Sequence, residues 1–276
     1  RIFNRYILPK IGNRMADAVT RADVTRLIDQ IADTAPVQAR AVHAILSGFY
    51  GWALPRLDRL QANPCLGAGR PAKPQSRDRV LDEAEIRALW IVANNMGYPW
   101  GDGIKLLLLT GQRRSEVFEA RRDEFSLPNA LWTIPASRAK NDLTHLVPLS
   151  TDALELIKGI PQIEDSNFLF PARRRLEKPV SGFSNVMGGV QALVDKELKR
   201  EKGERWTLHD LRRAVGTGMQ KLGVRLEVTE ATLNHKSGSR GGIVSVYQRY
   251  DYALEKRDAL NSWAKELGRI VKAPKN

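Results

Sequence analysis

The stretch Thr110-Gly111-Gln112-Arg113-Arg114-Ser115-Glu116-Val117 interrupts a helical pattern that runs from Pro99 to Glu119 and is most apolar at Leu106 to Leu109. Gly111 can supply a sharp turn, so the helix on its far side starts close to Arg113. A guanidinium there can grip two oxygens of a phosphate, helped by the free backbone N–H groups of a helix start. Glu116 falls one helical turn later and can either orient Arg113 or cap the helix. Taken alone, a pair of surface arginines explains the stretch at least as well.

Downstream, Ala130 to Pro135 and His145 to Leu149 read as two β-segments joined by the polar run 136–144, a hairpin with a mobile tip. Lys140 sits in that tip. A lysine so placed can swing into a closed site and donate a proton to a leaving oxygen, although most hairpin lysines are only solvated. Ala153 to Ile157 reads as a short helix and Asn167 to Pro171 as an extended run. Val186 to Lys199 and Leu208 to Leu222 follow as helices. In His209-Asp210-Leu211-Arg212 the helical i, i+3 spacing presents an imidazole and a guanidinium together, a pair suited to phosphate; a helix-start His beside a surface Arg is the plainer explanation. His235 closes a helical stretch before a Gly/Ser-rich turn, where a structural C-terminal His looks the same. The run Val244 to Tyr252 holds Tyr247, Tyr250 and Tyr252, a grouping that ordinary aromatic packing also produces. The last helix, Ala253 to Val271, places Leu260, Trp263, Leu267 and Ile270 on one side, for packing on its own domain or on a neighbouring protomer.

Upstream, Val24, Leu27, Ile28 and Ile31 follow helical spacing behind Thr20 as N-cap, and Ile45, Leu46, Phe49 and Trp52 repeat the signal. Asp82 and Glu85 form a capping-box pattern before Ile86, Leu89 and Trp90. Between these regions lies a Pro/Gly-rich basic run without periodicity. The reading is a helical domain at 1–66, a linker at 67–79 and a second domain at 80–276, mainly α with a small antiparallel β-sheet.

The 276 residues carry 44 Lys+Arg against 31 Asp+Glu, a net +13. That balance points to a polyanionic partner, nucleic acid above all, without separating a DNA enzyme from a nucleoid, ribosomal or heparin-binding protein. Residues 1–75 hold 11 basic and 5 acidic side chains, so part of the attraction lies there. One cysteine rules out an intramolecular disulfide framework, and four scattered histidines suggest no metal cluster. No apolar run approaches the roughly 18 residues that span a membrane. A start at Arg1 and the lack of a signal-peptide pattern read as a fragment of a cytoplasmic protein.

Individually these signals decide little; their order does. Thr-Gly-x-Arg-x-x-Glu, a hairpin Lys, His-x-x-Arg, Leu-x-His and a late Tyr follow one another at sensible intervals, and the chain closely resembles the tyrosine recombinases, specifically the integrases of phages and genomic islands. The resemblance covers the whole chain: Arg5 to Gly12 with Thr20 to Val24 is similar to the start of their core-binding domain, and Tyr247 to Tyr252 with Glu255-Lys256-Arg257 and Trp263-Ala264 to their C-terminal pattern. It implies a helical core-binding domain followed by an α+β catalytic domain. It implies that Arg113 and Arg212 clamp the non-bridging oxygens of a DNA phosphate, that His235 adds a donor, that Lys140 is the general acid, that His209 acts as a base or phosphate contact, and that Glu116 holds the geometry. Tyr247 is the implied nucleophile, since it follows His235 by about the family's interval and leads the terminal pattern; Tyr250 is the runner-up. Asn234 stands where the family most often has Gly, and Gly241-Gly242 lengthens the turn before Tyr247. The resemblance further implies no metal and no cofactor, double-stranded attachment sites as substrate, a homotetramer on DNA, and accessory DNA-bending and directionality proteins. A type IB topoisomerase, or a DNA-binding regulator that keeps the fold without the chemistry, are the competing readings.

Overall fold

The computed structural model describes residues 2–73, 78–235 and 251–273, and the chain divides into two units, Arg1–Asp78 and Arg79–Asn276.

The first unit is helical. After α1 (Leu8–Ile11), α2 (Arg21–Ala32) and α3 (Pro36–Ala53) pack face to face. Helix α2 starts where the sequence indicates: Thr20 and Asp23 form a reciprocal capping box. Its Val24, Leu27, Ile28 and Ile31 are buried against Ala39, Val42, Leu46 and Tyr50 of α3. Helix α3 differs from the expected face. Leu46 is buried, but Ile45 is exposed and Trp52 is 57% exposed, its ring covered by the Arg56 guanidinium at 4.7 Å. Helix α3 is apolar nearly all round, so periodicity alone could not choose its inner side. The helical pattern stops at Arg56, and turns follow. The run read as a linker is tied to this unit at its start: Ala68 is fully buried, and Arg40 Nη1 donates to Pro71 O at 2.6 Å. Cys65 is buried here too; its carbonyl meets His43 Nε2 at 3.1 Å, and burial pushes the thiol up to about 11.

The second unit is built around a helix buried along most of its length. Helix α4 (Glu83–Met96) opens with the Asp82–Glu85 capping box, and α5 (Trp100–Thr110) buries Ile104 and Leu106 to Leu109. Helix α6 (Arg114–Phe118) follows directly. Strands β1 (Phe125–Ser126), β2 (Leu131–Ile134) and β3 (His145–Pro148) form an antiparallel sheet in that order, with Trp132 opposite Val147 and Ile134 opposite His145. Helix α7 (Thr151–Gly159) packs on α5. A second hairpin, β4 (Pro171–Ala172) with β5 (Arg175–Pro179), was not evident in the sequence, because Arg175-Leu176-Glu177-Lys178-Pro179 carries too little apolar alternation to signal a strand. Helices α8 (Phe183–Glu197), α9 (Leu208–Lys221), α10 (Leu226–Thr232) and α11 (Ala253–Lys272) complete the described unit. Of the two packings open to the last helix, the structure adopts the one within its own unit. Leu260, Trp263 and Leu267 of α11 are buried in the core of this unit, and Trp263 Nε1 donates to Leu108 O at 2.7 Å. No helix of the described residues is long and apolar enough to cross a membrane.

Candidate active site

Gly111 ends α5 in the left-handed conformation, φ +65°. A Cβ there would come within 2.8 Å of Leu233 Cδ2 and 2.9 Å of Val215 Cγ1, so both the turn and the close packing require glycine. The turn puts Arg113 at the N-cap of α6, where Glu116 performs both tasks open to it. Its Oε2 accepts from the Arg113 backbone N–H at 2.8 Å, and its Oε1 accepts from Arg113 Nη1 at 2.8 Å. Arg113 Nη2 reaches across 121 residues to Asn234 O at 2.9 Å.

Arg212 approaches from α9, which Thr207 and Asp210 cap reciprocally. It is 3% exposed; Nη1 donates to Gly111 O at 2.7 Å and Nη2 to Leu233 O. Burial, and the like charge of Arg113, lower this guanidinium to about 9. Its Nε has no hydrogen-bond partner among the described residues, an uncommon condition for a buried donor.

One short segment receives these contacts. Thr232 O accepts from Gln112 Nε2 at 3.0 Å and faces His145 Nε2 at 3.2 Å; Leu233 O and Asn234 O then receive the two arginines. Asn234 has φ +49°, a conformation that Asn tolerates better than most residues. His235 follows directly, half-buried. Burial, together with the positive charge of Arg212, Arg113, His209 and Lys140, lowers it to about 4. His209, one turn before Arg212, is also lowered, by partial desolvation and then by Arg212 and Arg213.

Lys140 enters from the β2–β3 connection. Both arms of that connection are held: Arg138 grips Glu124 with Nε at 2.7 Å and Nη2 at 2.6 Å, and Asn141 Nδ2 donates to Asn234 O at 2.9 Å. The tip read as mobile is therefore anchored. Lys140 is exposed and lines, with Arg113 and His209, an open cavity of about 1050 Å³ that Phe183, Met187 and Trp206 also line.

The structure thus gathers Arg113, Glu116, Lys140, His209, Arg212 and His235, drawn from α6, the β2–β3 connection, α9 and the end of α10. Tyr247 and Tyr250 lie outside the described residues. Tyr252 precedes α11, half-buried against the core. Gln112, Asn141 and His145 also build the site and were missed in the sequence, because their role is to meet main-chain atoms about 90–120 residues away, which leaves no local pattern.

Among solved structures, lambda integrase as a dimer bound to a COC′ core site is similar over 86% of each chain, with 19% identity and a TM-score of 0.63. The lambda integrase tetramer bound to a Holliday junction is similar over 90% of this chain and 69% of that one, with 18% identity and a TM-score of 0.64. These likenesses establish a shared fold. In sequence, prophage integrase IntA of Escherichia coli (strain K12) is 31% identical over 159 residues, 57% of this chain. Prophage integrase IntZ of the same strain is 26% identical over 270 residues, 96% of this chain. The chain spans 36% and 64% of the length of these two relatives. The model of the phage integrase family matches residues 79–253, from the entry to α4 as far as the start of α11, and the chain belongs to that family.

Proposed function

We propose that this protein is a site-specific DNA recombinase that cleaves and rejoins strands through a 3′-phosphotyrosyl intermediate, integrating or excising a mobile element. The observation that carries this reading is the convergence of Arg113, Lys140, His209, Arg212 and His235, from elements distant in sequence, on one cavity edge and one carbonyl hub.

Attack on a phosphodiester builds a pentavalent centre with extra negative charge, so fixed positive donors contribute most to catalysis. Arg113 and Arg212 are fixed on their inner sides by Glu116 and by main-chain carbonyls, and take the two non-bridging oxygens. His235, lowered to about 4, is neutral near pH 7 and donates a ring N–H to one of them. The Tyr247 phenol oxygen bonds to phosphorus as the bond from phosphorus to the 5′-oxygen breaks. Neutral His209 takes up the phenol proton and Lys140 protonates the leaving oxygen. The phosphotyrosine conserves the bond, so a free 5′-hydroxyl from another strand reverses the step without ATP. The arginines supply the charge that a metal ion supplies elsewhere, and cleavage proceeds in chelator.

The substrate is a pair of double-stranded attachment sites, each held by two protomers, hence a homotetramer on DNA. DNA-bending and directionality proteins are the expected accessories, and the reaction takes place at the nucleoid, in the cytoplasm of a bacterial cell. The dimeric and tetrameric lambda integrase complexes on DNA support this reading by analogy of fold.

A nicked suicide duplex tests it. Tyr247→Phe should bind the duplex almost normally and form no denaturant-stable adduct, while Tyr250→Phe should still form one. An adduct with Tyr247→Phe would refute the assignment, and no adduct with the unsubstituted protein on any attachment site would leave a non-catalytic DNA-binding protein.

A further inference from the structure

Lys140 is exposed near the tip of a β-connection, and an unrestrained lysine there would spend its time in solvent. The neighbouring residue prevents that. Asn141 Nδ2 donates to Asn234 O at 2.9 Å and lies 3.1 Å from Asn234 Oδ1, so its two hydrogens have an acceptor each. The same Asn234 carbonyl accepts from Arg113 Nη2 at 2.9 Å. Both lone pairs of one oxygen are thus used, one by the phosphate clamp and one by the segment that carries the acid. Other restraints on the connection include the grip of Arg138 on Glu124 and the turn in which the Asp142 N–H donates to Ala139 O at 3.0 Å.

We propose that Asn141 is a positioning residue: its docking on Asn234 sets the Lys140 ammonium at the leaving oxygen, so that protonation of that oxygen depends on the contact. This rests on the reading of Lys140 as general acid. In the step concerned, the phenol oxygen of Tyr247 bonds to phosphorus and the electron pair of the breaking bond passes to the 5′-oxygen. That oxygen takes a proton from the Lys140 ammonium, which becomes an amine, and the phenol proton goes to His209. In the reverse step the protons return. A misplacement of about 1 Å in such a group can cost about a hundredfold in rate.

Replacing the bridging 5′-oxygen of the substrate by sulfur separates positioning of the acid from general structural damage. A thiol ionises near about 8.5 and leaves without an acid, so any defect that acts through Lys140 disappears. Single-turnover cleavage by the full chain is measured on oxygen and sulfur substrates for the unsubstituted protein, Asn141→Ala, Lys140→Ala and the double variant. Asn141→Ala should be slower by about tenfold or more on oxygen and within about threefold of the unsubstituted protein on sulfur, in keeping with the size of general-acid effects. In the Lys140→Ala background it should add nothing further. An Asn141→Ala defect of equal size on both substrates, or no defect on oxygen, overturns the proposal while leaving the acid in place. A Lys140→Ala defect that sulfur does not relieve overturns the assignment of the acid itself, and the role of Asn141 with it.

Discussion

At the scale of single residues, the site consists of charges that the fold holds ready at a cost. Arg212 is 3% exposed, beside a second guanidinium, with only neutral carbonyls as acceptors among the described residues and Nε unmatched. Burying a charge in this way is costly unless an anion arrives, which a DNA phosphate would do. His145, behind the hub, carries a related penalty. Burial first, then Lys256 and the two arginines, lower its titration from 6.5 to about 3. The unfolded chain therefore binds a proton that the folded chain refuses between those values, and stability must fall as pH drops through this window. His145→Gln keeps a donor for Thr232 O and removes the titration. Urea unfolding at several pH values should show a shallower acid loss for this variant, and an identical slope would rule out His145 as a source. Arg113, Glu116, Lys140, His209, Arg212 and His235 could be named from the sequence because their residue types follow one another in an order that resembles a known family, though none stands out alone. Gln112 and Asn141 could not: an amide that meets a distant carbonyl is one polar residue among many until the fold brings the partners together.

Secondary-structure elements were legible where the chain signals locally. The N-cap at Thr20, the capping box at Asp82, the break at Gly111 and the apolar side of α11 follow from short-range rules and stand where those rules put them. The exposed side of α3 and the β4–β5 hairpin depend on what packs against them, which local patterning does not carry. The placement of α11 in its own core has a measurable consequence. A Cβ on Gly218 of α9 would lie 2.1 Å from the Trp263 ring, so the two helices touch with no room to spare. Trp263→Ala should cost about 3–5 kcal/mol, and Gly218→Ala about 1–3 kcal/mol through overpacking, read by urea denaturation. A Trp263→Ala protein of unchanged stability, defective only in assembly on DNA, would show that α11 serves a neighbouring protomer after all.

For the whole molecule, the net positive charge is divided between the two units. Residues 1–78 hold 12 basic and 6 acidic side chains, residues 79–276 hold 32 and 25, so each unit is basic in its own right. Duplex affinity should therefore fall steeply with salt, with a log–log slope of about −0.9 for each phosphate neutralised, and either unit alone should retain part of that slope. A slope carried entirely by one unit would refute a shared attraction.

Cys65 makes the first unit a clock. It is the one sulfhydryl in 276 residues, it is 2% exposed, and burial holds it near 11, so almost no reactive thiolate is offered to solvent while that unit stays closed. A chromogenic disulfide reagent should consume it only as fast as the unit opens, and destabilising the second unit through Trp263 should leave that rate unchanged. The same silence makes the native chain a ready background for probes. A cysteine introduced anywhere on the surface would be labelled alone.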